Sequence, residues 1–147
     1  MFLLAVTIPL TLLIVATICD LRAREVPNWI SVAILLWATT ATSFGFHGVG
    51  WGHMLLGAFL GFALGAIVFQ LGGLGGADVK LITAIGALLG PIALLFVLFW
   101  MALAGGLLAF LALLRGHRDF AYVPAITAGF TAYLLYPGGI WQHLFHS

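Results

Sequence analysis

Charged side chains are scarce in this sequence, and their scarcity excludes most classes of protein. Of the 147 residues, 6% are charged and 64% are hydrophobic, whereas an ordinary soluble domain is roughly 25% charged. Five basic and four acidic residues cannot solvate the surface of a soluble domain of this length, and a composition so apolar also excludes a disordered chain. The net charge of +1 gives no attraction for phosphates, so we expect no nucleic-acid partner. The sequence therefore predicts an integral membrane protein.

Cysteine is almost absent as well. Cys19 is the single cysteine, which excludes an internal disulfide framework and a multi-cysteine metal site. No carboxylate or cysteine accompanies the histidines of the predicted outer loops, which are His47, His53, His143 and His146. We therefore expect neither a metal site nor a cofactor. The length allows one domain, which we expect to cover residues 1–147.

The uncharged stretches between the clusters of charge predict six membrane-spanning helices, since about 20 apolar residues cross a bilayer. As one straight helix, the uncharged stretch 81–114 would be about 51 Å long. We expect it to break at Gly90-Pro91, because proline lacks a backbone donor and clashes with the preceding turn. The other predicted spans are residues 2–19, 29–44, 51–71 and 121–136, the last with Pro124 in its first turn.

Six crossings place every charged residue on one side of the membrane. By the positive-inside rule that side is cytoplasmic, because it holds all the basic residues: Arg22, Arg24, Lys80, Arg115 and Arg118. Both termini then lie outside, and Trp51, Tyr136 and Trp141 form an aromatic belt at the outer interface. The expected fold is thus an all-α, multi-pass protein of the cytoplasmic (inner) membrane, with the lipid bilayer around it.

Glycines recur at every fourth position of the third predicted helix, at Gly57, Gly61 and Gly65. Small residues at this spacing lie on one helix face and let a second helix approach closely. The pattern predicts a packing surface and places the third helix at the centre of the bundle.

Asp20 and Asp78 are the candidate catalytic residues. They are predicted at the cytoplasmic ends of helices 1 and 4 and therefore at one membrane depth. Two carboxylates at one depth can perform aspartyl-protease chemistry, in which an ionised carboxylate takes a proton from water and a protonated one polarises the scissile carbonyl. As structural alternatives, Asp78 caps a helix and Asp20 is a solvated helix end that pairs with Arg22 or Arg24. Four glycines at positions 72, 73, 75 and 76 favour the catalytic interpretation, because glycine lets a bound peptide backbone approach closely.

The helix ends also predict which carboxyl is the acid. Asp20 ends a helix, where the partial negative charge of the macrodipole disfavours ionisation, whereas Asp78 begins one, where the partial positive charge favours it. On this argument Asp78 is the base that activates water, and Asp20 is the acid that polarises the carbonyl.

The residues around both aspartates resemble the motifs of a known family. Gly75-Gly-Ala-Asp78-Val-Lys80 resembles the GxGD motif of the type IV prepilin peptidases, with Ala77 in place of the second glycine. Asp20, the basic residues that follow it and the Pro27-Asn28 pair resemble the first aspartate motif of the same family. The compact length is similar to that of the short peptidases of tight-adherence pilus systems and of the archaeal preflagellin peptidases.

The resemblance implies cleavage of a short basic leader from a prepilin-like membrane protein, just before its hydrophobic helix and at the cytoplasmic face. Asp20 and Asp78 would be catalytic, and Glu25 and Asp119 would attract the basic leader. Larger relatives also methylate the new N-terminus and carry an additional cytoplasmic segment with paired cysteines; without that segment, we expect no methyltransferase activity here. The residues that would shape the site or bind substrate are Arg22, Arg24, Pro27, Asn28, Gly75, Gly76, Ala77 and Lys80.

Two other functions compete with this one. A small proton-coupled transporter or channel would use Asp20 and Asp78 as relay groups, but relay carboxylates are expected near the membrane midplane rather than at one interface. A scaffold subunit without enzymatic activity would have no use for the glycine-rich stretch or for the second aspartate. The sequence makes no prediction of the oligomeric state.

Overall fold

The computed structural model describes residues 2–116 and 122–135, with side chains from residue 5 onward. Within these ranges the protein forms six α-helices and no strand, which confirms the all-α prediction for this part of the chain. The helices are α1 (Phe2–Ala23), α2 (Asn28–Ser43), α3 (Trp51–Gln70), α4 (Gly76–Leu89), α5 (Pro91–Leu114) and α6 (Val123–Leu135).

Three of the described helices, α1, α3 and α5, are long and apolar enough to cross a membrane. The other three have 16, 14 and 13 residues, fewer than the about 20 that a full crossing needs. Six crossings and the placement of the termini therefore stay predictions. The sequence-based predictions for Arg118, Asp119, Tyr136, Trp141, His143 and His146 lie outside the described residues.

Two helix boundaries differ from the predicted ones. α1 continues through Asp20 to Ala23 instead of ending at Cys19, and α4 begins at Gly76 instead of Leu81. Both predicted spans stopped at the nearest charged residue, whereas the backbone hydrogen bonds of a helix continue through charged residues at a bundle end. Arg24 directly follows α1; its backbone has φ 53°, and its N–H donates to the Asp20 carbonyl oxygen at 2.9 Å.

The break at Gly90-Pro91 is confirmed, and Gly90 alone connects the two helices. Its φ of 82° lies in the left-handed region, which glycine adopts without steric cost. The Gly90 N–H donates to the last turn of α4, and its carbonyl accepts from Leu94 in the first turn of α5. Pro91 follows at the first position of α5, where its missing N–H has no intrahelical partner to lose.

The centre of the bundle is α4, and the prediction that α3 would occupy it was wrong. Most of α4 is buried, including Asp78 and the apolar run that follows it. α3 buries one face only, made of Met54 and the three glycines, and exposes large side chains such as Phe59 and Phe62. α4 takes the centre because it packs against α2 and α5 as well as α3.

The glycine face of α3 is a packing surface, as predicted, and α4 lies directly on it. A Cβ on Gly57 would overlap the carbonyl group of Gly86, and a Cβ on Gly61 would lie 2.8 Å from the carbonyl oxygen of Ile82. The backbones of the two helices are therefore in direct contact. A side chain at these positions has no space, because the neighbouring atoms belong to the backbone and cannot rotate away.

His47 is buried, at 5% exposure, although the sequence placed it in an exposed outer loop. The cause is the way that α2 ends. Gly45 has φ 68°, and the N–H of Phe46 donates to the carbonyl oxygen of Ala41 at 2.9 Å, as in a Schellman motif. This motif reverses the chain and brings the residues after it back against the bundle.

The helix contact gives a test of the fold. Gly57→Ala should destabilise the protein by several kcal/mol or prevent its folding, since overpacking against a fixed backbone costs about 1–3 kcal/mol or more. Gly52→Ala, on the same helix with no atom within 4 Å of the new Cβ, is the matched control and should unfold like the wild type or slightly later. Thermal unfolding in detergent measures both. Equal midpoints for the two variants would show that the α3–α4 contact is looser than described.

Candidate active site

Asp78 lies in the first turn of α4 and is buried, at 7% exposure. Its Oδ2 accepts a hydrogen bond from the backbone N–H of Gly75, the N-cap residue, at 2.9 Å. This contact is one of the two hydrogen bonds of a capping box: an acidic side chain at the third helical position accepts from the backbone N–H of the N-cap residue. Asp78 therefore stabilises the start of α4 and is also held in one orientation by it.

The glycine-rich stretch has local structural causes at three of its four positions. Gly72 has φ 75° and follows the last turn of α3 as the left-handed residue of a C-terminal cap. A Cβ on Gly73 would lie 2.9 Å from Val68 Cγ1, and one on Gly75 would lie 3.1 Å from Asp78 Oδ2. The last of these contacts matters for the site, because any larger residue at position 75 would displace the carboxylate.

Asp20 lies near the end of α1 and is half-buried. Its Oδ2 accepts a hydrogen bond at 3.2 Å from the backbone N–H of Val123, the first residue of α6. This donor is free because the first N–H groups of a helix have no intrahelical partner, whereas the N–H of Ala125 donates to the Tyr122 carbonyl oxygen. In this first turn, Val123 thus supplies the donor for a carboxylate from another helix.

The two carboxylates are close enough to interact through their charges. Burial raises the pKa of Asp78, the Gly75 N–H lowers it, and the negative charge of Asp20 raises it, with burial as the largest effect. The net direction is a raised pKa for Asp78, which lies ahead of the apolar run of α4. Desolvation therefore acts against the easier ionisation of Asp78 that its position at a helix start predicted. Desolvation can shift a pKa by several units, whereas a helix terminus contributes about 0.3–1 kcal/mol, less than one unit.

The two sequence motifs also meet through a second polar contact. Lys80 Nζ donates to Asn28 Oδ1 at 2.8 Å, between the second turn of α4 and the first residue of α2. Pro27 is the residue that precedes α2, with φ −59° and ψ 129°. The Pro27-Asn28 pair thus starts α2, and the side-chain amide oxygen of Asn28 reaches Lys80. This contact connects the segment that follows Asp20 to α4, the helix that carries Asp78.

Several of the other predicted site residues lie near the ends of α1 and α4, the helices that carry the two aspartates. Gly76 and Ala77 form the first turn of α4, so Ala77 adopts ordinary helical backbone in place of the second motif glycine. Three exposed residues, Arg22, Arg24 and Glu25, lie at the end of α1 and in the following loop. Asp119 lies outside the described residues.

The contribution of α6 was not predicted from the sequence. The donor to Asp20 is a backbone N–H, so no side chain at position 123 reveals it. The one available signal was the predicted helix start itself, because the first N–H groups of a helix are donors without an intrahelical partner.

An apolar cavity of about 360 Å³ lies beside the site. It is bordered by Leu74 and Tyr122, which directly precede Gly75 and Val123, the two residues whose N–H groups hold the aspartates. The remaining lining comes from α3, α4 and α5, and Gly65, Met101 and Gly105 contribute to it. Such a lining accepts apolar groups.

The electrostatics of the pair can be tested by infrared titration. A protonated carboxyl band should persist to a higher pH than that of a free aspartic acid, because burial favours the neutral form of Asp78. Asp78→Asn should remove this band. Asp20→Asn should keep it but move its titration to lower pH, because the neighbouring negative charge is lost. If the high-pH band remains in Asp78→Asn, another carboxyl is responsible for it.

Comparison with known proteins agrees with the motifs. The family model of the type IV leader peptidases matches residues 7–110 of this chain. The chain is 32% identical over 137 residues to the "Prepilin leader peptidase/N-methyltransferase" of Bacillus subtilis (strain 168). The matched region covers 89% of this chain and 55% of that protein. The chain thus spans about half the length of this relative, and no solved structure gives a significant match. Since the family model covers well over half of the chain and includes both aspartates, this chain belongs to the type IV leader peptidase family.

Proposed function

We propose that this protein is a membrane aspartyl endopeptidase that removes a short basic leader from prepilin-like substrates. The observation that carries the proposal is the pair of carboxylates, one buried with a raised pKa and one half-buried, each held by a backbone N–H at a helix start. Membership of the leader peptidase family and the name of the relative support the choice of substrate.

The roles of the two aspartates follow from their surroundings. Asp78 is the acid: burial and the neighbouring charge of Asp20 raise its pKa, which favours the protonated form that donates a hydrogen bond to the scissile carbonyl oxygen. Asp20 is the base: its half-buried carboxylate accepts a proton from the attacking water. Water oxygen then bonds to the carbonyl carbon, and the C–N bond breaks as the leaving amine takes up the proton that Asp20 accepted. This assignment reverses the one that the helix ends alone predicted.

The location of the site suggests where the reaction takes place. Arg22 and Arg24 follow Asp20 in the chain and Lys80 follows Asp78, and basic residues accumulate on the cytoplasmic side of membrane proteins. A substrate anchored by an apolar helix would present its leader at this depth. Cleavage at the cytoplasmic face of the inner membrane, six crossings and a single peptidase domain belong to this proposal. Glu25 and Asp119 attract the basic leader.

The catalytic proposal predicts that both aspartates are indispensable. Asp20→Asn and Asp78→Asn should each insert and purify like the wild type. Each should lower the rate of leader cleavage by about 100-fold or more, because a positioned acid or base contributes an effect of that order. Cleavage of a purified prepilin in detergent or liposomes, followed by gel mobility and mass spectrometry, measures this. Gly52→Ala, at the opposite end of α3, is the control. Near-normal processing by either asparagine variant would exclude the two-carboxylate mechanism.

The proposed topology predicts the accessibility of single cysteines. In a Cys19→Ala background, Gly50→Cys should react with an impermeant maleimide from outside, whereas Leu71→Cys and Arg115→Cys should react only after the membrane is opened. All three positions are exposed, so burial does not limit the reaction. Labelling of position 115 from outside would mean that α4 and α5 together cross the membrane once.

A further inference from the structure

A pair of threonine hydroxyls joins α1 and α6 inside the bundle. Thr17 Oγ1 lies 2.7 Å from Thr127 Oγ1, and both side chains are partly buried. Thr17 Oγ1 also lies 2.9 Å from the carbonyl oxygen of Leu13. The same carbonyl oxygen lies 3.3 Å from Thr127 Oγ1. Each hydroxyl has one proton to donate, so one of the two donates to Leu13 and the other donates to its partner hydroxyl.

This pair lies one helical turn from the contact that holds Asp20. Thr17 precedes Asp20 by three residues on α1, and Thr127 follows Val123 by four residues on α6, so each pair shares a helix face. The Asp20–Val123 and Thr17–Thr127 contacts are therefore successive links between the same two helices. One link alone leaves α6 free to rotate about it, whereas two links fix both its height and its rotation relative to α1.

The opposite side of α6 is fixed by α5. A Cβ on Gly129 would lie 2.6 Å from the carbonyl oxygen of Val97, so these helices are in backbone contact. Shape alone determines that contact. On the α1 side the described polar links are the two above and a contact of 3.3 Å between Thr127 Oγ1 and the carbonyl oxygen of Leu13. Together they determine where the Val123 N–H lies relative to the Asp20 carboxylate.

We propose that Thr17 and Thr127 are positioning residues for Asp20, through a hydroxyl link that sets the register of α6 against α1. This inference rests on the proposed function, in which Asp20 is the base. Neither threonine touches the reacting atoms. Loss of the link lets the first turn of α6 shift, so that Asp20 is held less often in the orientation that takes the proton from water.

The test uses Thr17→Val and Thr127→Val, which keep the shape of the side chain and remove the hydroxyl. Each should lower kcat for prepilin cleavage by roughly three- to tenfold, the effect of one hydrogen bond, with KM changed less than twofold. The double variant should be no worse than Thr127→Val, because that variant already lacks every described hydroxyl link between the two helices. Thr17→Ser and Thr127→Ser keep the hydroxyl and should restore cleavage to nearly the wild-type rate.

Matched controls exist on both helices. Thr11 and Thr131 donate within their own helices, to the carbonyl oxygens of Ile8 and Thr127, so Thr11→Val and Thr131→Val should cleave like the wild type. Rates are expressed per folded protein, as judged by gel filtration. If a valine variant does not fold, the alanine variant at the same position takes its place.

Two results would overturn the inference. One is wild-type kcat in both valine variants while Asp20→Asn is inactive; this leaves the proposed function intact. The other is a loss in the serine variants equal to that in the valine variants, which would indicate packing of the methyl group instead of the hydroxyl link. If Asp20→Asn itself cleaves normally, the proposed function is excluded, and the inference that rests on it is excluded as well. The activity of Asp20→Asn therefore distinguishes failure of the proposed function from failure of the hydroxyl link alone.

Discussion

The direct backbone contact between α3 and α4 is the constraint on which the rest of the structure depends. α4 has only 14 residues, about 21 Å at the usual rise, and it carries a carboxyl group in its first turn. A helix this short falls below the length of a full crossing, and most of it is buried by protein. Gly57, Gly61 and Gly65 let α3 cover it closely, and α2 and α5 complete the enclosure.

Burial of α4 has a chemical consequence at its first turn. Enclosure removes water from Asp78, and desolvation disfavours the charged form of a carboxyl group. The neighbouring negative charge of Asp20 acts in the same direction, and the Gly75 N–H offsets part of the effect. The packing that encloses α4 therefore also gives the Asp78 carboxyl a different environment from that of the Asp20 carboxyl, although the two side chains are identical. In the proposed mechanism, an acid and a base arise from one residue type because one side chain is enclosed and the other is half-buried.

Much of this arrangement is visible in the sequence, because the features involved are strong and local. The Gly90-Pro91 break, the glycine face of α3 and the two aspartate motifs each depend on residues that have few structural alternatives. The helix limits at Asp20 and Gly76 were not predictable from composition, because charge marks where apolar character ends and not where hydrogen bonding ends. The central position of α4 and the burial of His47 depend on tertiary packing, which no short window contains. The same is true of the pKa of Asp78, whose direction burial decides.

The contribution of α6 shows a further limit, since its role depends on a backbone atom. Asp20 and Asp78 are held in the same way, each by an N–H at the start of a helix, but the donor for Asp78 comes from its own helix and the donor for Asp20 from another. A donor within the same helix is fixed by local geometry, whereas one on a different helix is only as precise as the packing between the two. Asp20 therefore depends on the position of α6, and any feature that fixes α6 against α1 acts on the carboxylate. The Thr17–Thr127 link lies where such a feature is needed, one turn from the donor and away from the reacting atoms.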